Sequence, residues 1–185
     1  MTKEEMYYDH YKDTFTEQKG YLTRRNRLTI YLFALLLLFG FLLDNPQQIE
    51  TLVNKLIDSK VKDVKFSFDC INLLFEIVFL WVVVSYYQIN FTVERTYKYI
   101  HSLEEKLVSQ GYNIEREGKH YKEYHPILLD IVHWFYILAL PVMVITMSVI
   151  KISHRCDYDF VCLRVFILLI VIVLSVSYLI RRCFK

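Results

Sequence analysis

The chain has 185 residues, 55% apolar and 16% aromatic, with a mean hydropathy of +0.27. That is too apolar for an ordinary soluble domain, and a net charge of +2, with Lys and Arg interleaved among Asp and Glu, offers no basic stripe for direct nucleic acid binding. The apolar residues form charge-free blocks at Leu28 to Leu43, Ile71 to Phe75, Ile77 to Val93, Ile131 to Ile150 and Val165 to Ile180. These predict an all-α membrane protein: four transmembrane helices, an outer amphipathic helix and a helical cytoplasmic extension.

Residues 1–27 read as a cytoplasmic tail and residues 28–43 as the first span. No cleavable signal peptide is expected, because the first apolar run starts only at Leu28 and no small-residue cleavage site follows it. In the outer segment 44–67, Asn45 suits an N-cap, Pro46 the first helical position and Gln48 a capping box. Ile49, Leu52, Val53, Leu56 and Ile57 then recur at helical spacing, with Glu50, Lys55 and Asp58 off that stripe. Such a helix either lies on the membrane surface or closes the outer face of the bundle.

The second span, 68–91, contains Glu76, a lone carboxylate about 12 Å into a hydrocarbon layer about 30 Å thick. A charge at a helix centre costs roughly 2.5 to 3.5 kcal/mol on insertion scales, so Glu76 must face the bundle interior, a second subunit or water, or be protonated. Asn72 and Asp69 precede it at helical spacing, making a polar intramembrane stripe of Asp69, Asn72 and Glu76. Three roles are open to it: a cation path, contact with the same residues in a symmetric oligomer, or a hydrogen bond between helices to Ser148 or Thr146.

Residues 92–126 form a cytoplasmic helix and turn. Val93, Tyr97, Ile100, Leu103 and Leu107 keep a helical stripe up to a stop at Gly111, and Tyr112 to Tyr121 has a partly alternating pattern around Glu117-Gly118 that suits a two-strand turn. In the third span, 127–150, Asp130 and His133 share a face at the cytoplasmic end beside Trp134 and Tyr136. This is either a proton-sensitive pair or an interfacial cluster within the aromatic belt. Pro141 predicts a kink. The outer loop 151–162 brings Cys156 and Cys162 close in sequence, as a candidate disulfide or as two unrelated thiols, while Cys70 and Cys183 fall on opposite sides of the bilayer. The fourth span is 163–181, followed by a tail, 182–185.

Lys and Arg number six before the first span, six in the middle loop and three after Ile180, against seven in the two outer segments. That bias places both termini in the cytoplasm of a multi-pass inner-membrane protein. Metal-binding, nucleophile-elbow and phosphate-loop signatures are missing from the sequence, so the chain is read as non-enzymatic, without catalytic residues, metal or cofactor.

The segments Val93-Glu94-Arg95-Thr96-Tyr97-Lys98-Tyr99-Ile100-His101-Ser102-Leu103-Glu104-Glu105-Lys106-Leu107 and Ile114-Glu115-Arg116-Glu117-Gly118-Lys119-His120-Tyr121 stand between two pairs of spans. In this layout the chain resembles small four-span membrane proteins of bacterial anti-phage defence, either membrane subunits of the Kiwa type or membrane effectors of retron or cyclic-oligonucleotide systems. The resemblance implies a homo-oligomer in the lipid bilayer that senses membrane disturbance and signals to a cytoplasmic partner through residues 92–126, or that permeabilises the membrane once triggered. It transfers no catalytic role to any residue. The alternatives are a small ion channel or transporter component using Glu76, and a membrane anchor or scaffold for a cytoplasmic partner.

Overall fold

The computed structural model describes residues 3–44, 46–59, 67–109, 111, 131–132, 134–153 and 161–183. Among the described residues the helices are α1 (Lys3–Asp44), α2 (Pro46–Asp58), α3 (Phe68–Ser109), α4 (Leu140–Ser153) and α5 (Val161–Cys183), with a π-helical turn at Phe135–Ala139 leading into α4. Among the described residues four stretches are long and apolar enough to cross a membrane: Glu5–Asp44, Asp69–Ser109, Phe135–Ser153 and Val161–Cys183. The chain is an all-α, multi-pass membrane protein.

The local chemistry accounts for the boundaries. Ser67 caps α3, its hydroxyl accepting from the Cys70 amide at 3.4 Å while its carbonyl accepts from Ile71 at 3.2 Å. At the other end, Gly111 takes a φ of 92° and its amide donates to the Val108 carbonyl at 3.0 Å. The expected stop is therefore a left-handed glycine cap. Pro141 lacks the N–H that the carbonyl four residues earlier needs, and the π-helical turn just before it absorbs the mismatch. Hydroxyls on the apolar helices return to their own backbone, Thr146 to Val142, Ser148 to Val144 and Ser175 to Val171, which satisfies them without water.

The chain divides into two compact units, residues 1–29 with 85–134 and residues 30–84 with 135–185. In the first, α1 pairs with the later part of α3. Tyr11 donates to Glu104 at 2.9 Å, His10 and Tyr99 meet at 2.7 Å, and the Gln18 amide donates to the Val93 carbonyl at 3.3 Å. As the α1 numbers rise the α3 numbers fall, so the two segments are antiparallel. Tyr11, Ile100, Leu103 and Leu107 form their buried core, with Tyr7 and Phe15 packed against it. Residues 3–27, read from sequence as a tail, are thus helical and bring Tyr11 into this core, with Tyr7 and Phe15 against it.

The second unit holds the later part of α1, α2, the first part of α3, and α4 and α5. Its core includes Leu32, Leu36, Phe39, Phe79, Val83, Val144 and Val171. Phe39 meets Phe79 edge to face at 4.6 Å, and Phe33 stacks on Phe135 at 5.7 Å. The outward residues are large and apolar, among them Leu37, Phe41, Leu74, Trp81, Phe166 and Val173, as lipid contact requires.

Candidate functional site

The polar stripe lies inside the second unit. Glu76 and Asn72 are buried, Glu76 completely, and Asp69 in the first turn of α3 is half-buried. The helical register that puts Phe79 and Val83 into the core puts Glu76 there as well, one and two turns away on the same face.

Two cations meet the stripe. Lys151, in the last turn of α4, donates to Asn72 Oδ1 at 2.5 Å, lies 3.4 Å from Glu76 Oε1, and stands 3.9 Å from the centre of the Phe39 ring. An ammonium has three N–H groups, and these contacts engage it on three sides. Arg164, in the first turn of α5, donates from Nε to both Glu76 oxygens, at 3.2 and 3.4 Å, and from Nη2 to Oε1 at 3.2 Å. Its Nη1 reaches Asp69 Oδ1 at 3.4 Å. The guanidinium fork therefore spans two carboxylates about two turns apart on one helical face, a geometry a lysine could not reproduce.

Among the described residues the network brings together two acids, two bases and one amide, and these four charges balance when all are ionised. It joins α3, α4 and α5 through polar contacts and α1 through the Phe39 ring. Neutralisation inside the bundle is what makes a carboxylate tolerable at that depth. The expected partners Ser148 and Thr146 instead bond to their own helix backbone. Among the described residues no cluster of acids, His and Cys is arranged to hold a metal ion.

Lys151 and Arg164 read in sequence as part of the outer loop or its edge, yet both are helical and point at Glu76. A signal for them was present. Two lone cations border the third and fourth apolar runs at the same end of the bundle where two lone acids enter the second. Of the other candidates, Asp130, His133 and Cys156 lie outside the described residues, as does the turn at Tyr112 to Tyr121. Cys162 is an exposed thiol at the start of α5.

No family model, curated protein or solved structure matches the chain.

Proposed function

We propose that this protein is a non-enzymatic, oligomeric membrane sensor or membrane-permeabilising effector of bacterial anti-phage defence, in which the Glu76 network holds the bundle closed until a trigger breaks it. It resides in the inner membrane with both termini in the cytoplasm, consistent with the excess of Lys and Arg in the terminal and middle segments. The observation carrying the reading is a fully buried carboxylate tied to two cations from two other helices. A buried ion pair adds little stability over apolar packing, but separating its partners is costly. Such a network suits a protein that must stay sealed at rest and change state abruptly.

A standing cation path through Glu76 is the weaker reading, because Lys151 and Arg164 already occupy the carboxylate. A cytoplasmic partner would meet residues 92–126, where Arg95, Lys98, Tyr99, Glu105 and Val108 are exposed on α3.

Membrane potential, followed with a potential-sensitive dye in cells before and after phage challenge, tests the proposal. Wild-type cells hold their potential at rest and lose it on infection. Glu76→Gln takes the buried carboxylate away from Lys151 and Arg164, and those cells depolarise without phage. If Glu76→Gln and Glu76→Ala accumulate to wild-type levels and match the wild type in resting and infected cells alike, the network has no part in function and the proposal fails.

A further inference from the structure

The apolar side of α2 plays no part in the charge network. Leu52 and Leu56 are 56% and 70% exposed, while Ile49, Val53 and Ile57 beside them are half-buried. Thr51 and Lys55 are exposed away from that stripe. At 13 residues α2 is about 20 Å long, too short to cross a bilayer.

Its tethers limit where it can lie. The apolar run of α1 ends at Leu43, α1 itself at Asp44, and α2 begins at Pro46, so its first residue starts within roughly 10 Å of the point where the chain leaves the hydrocarbon. Beyond Asp58 the chain re-enters a membrane-crossing helix at Phe68. Both ends are tied to spans, the first by a single intervening residue, which keeps α2 beside the face of the membrane.

We propose that α2 is a lipid-docking helix: Leu52 and Leu56 insert into the acyl–headgroup boundary beside the bundle, and Lys55 extends along it to the headgroups. The occupant of this face is the lipid surface itself. Glu50, Lys55 and Asp58 give the helix no basic face, so docking relies on apolar insertion and takes zwitterionic lipid as readily as anionic lipid.

The test uses the full chain carrying Cys70→Ser, Cys156→Ser, Cys162→Ser and Cys183→Ser. A single environment-sensitive fluorophore is attached through Leu52→Cys, Leu56→Cys or Thr51→Cys in phosphatidylcholine vesicles. Labels at positions 52 and 56 emit blue-shifted light and are quenched by a nitroxide high on the acyl chain roughly twofold or more over the label at 51. Adding phosphatidylglycerol leaves this contrast unchanged. Water-like emission at both positions overturns the proposal, and so does a blue shift without lipid quenching, which would mean that protein, a second copy included, covers the face. Docking that requires phosphatidylglycerol overturns the assigned lipid class. The vesicles carry no trigger, so the result is independent of whether the protein permeabilises membranes.

Discussion

At the level of single residues, the arrangement around Glu76 distributes one negative charge over two cations, and this determines how substitutions combine. Glu76→Gln leaves buried Lys151 without its carboxylate and lowers unfolding free energy by about 3 kcal/mol, whereas Lys151→Met leaves Glu76 paired with Arg164 and costs less. Together they remove one charge of each sign and leave Asp69 with Arg164, so the double variant loses about 1 to 2 kcal/mol less than the sum of the two. Reversible unfolding in mixed micelles, followed by Trp fluorescence, measures all three. Phe39 contributes differently, because its ring packs edge-on against Phe79 and lies over the Lys151 ammonium. Phe39→Leu keeps most of the apolar volume but loses both ring interactions, at about 1 to 2 kcal/mol in the same measurement.

At the level of elements, α1 and α3 stand out, each a continuous helix of 42 residues and about 63 Å, twice the hydrocarbon thickness. Polar residues do not break them because the side chains are satisfied locally, as in Thr92 to Gln88, Thr96 to Thr92 and Asn90 to Tyr86. Two glycines make this testable. Gly20 lies inside α1 with open space where a Cβ would stand, so Gly20→Ala stabilises the helix by about 0.5 to 1 kcal/mol. Gly111 also has open space, but its φ of 92° is one that alanine resists, so Gly111→Ala costs about 1 kcal/mol. Thermal melts followed by circular dichroism should move in opposite directions for the two.

At the level of the whole molecule, the chain carries two cores, one in each compact unit. Ile100 is fully buried in the first, and Ile100→Ala removes about 2 to 5 kcal/mol of packing there. Hydrogen–deuterium exchange should then rise across residues 7–18 and 96–107, while the amides of α4 keep their protection. Uniform loss of protection would show that the two cores do not behave as separate cooperative units.

Much of this was legible along the chain. The four apolar spans, the amphipathic stripe of α2, the stop at Gly111 and the anomaly of Glu76 depend on composition and on spacing within one helix, which residue identity fixes before any folding. The helical pairing of residues 3–27 was less visible, because Tyr7, Tyr11 and Phe15 are spaced among charges and gain their meaning only from Ile100, Leu103 and Leu107. What Glu76 touches was decided by tertiary structure alone. Lys151 and Arg164 stand 75 and 88 residues from it in number, and no period within a helix connects them. The sequence by itself determined that a carboxyl group would stand within an apolar span and need the bundle interior, a second subunit, water or a proton. Only the packing of α3, α4 and α5 selected its counterions, since a charge in low dielectric is stabilised by whichever opposite charge can be brought within about 4 Å of it.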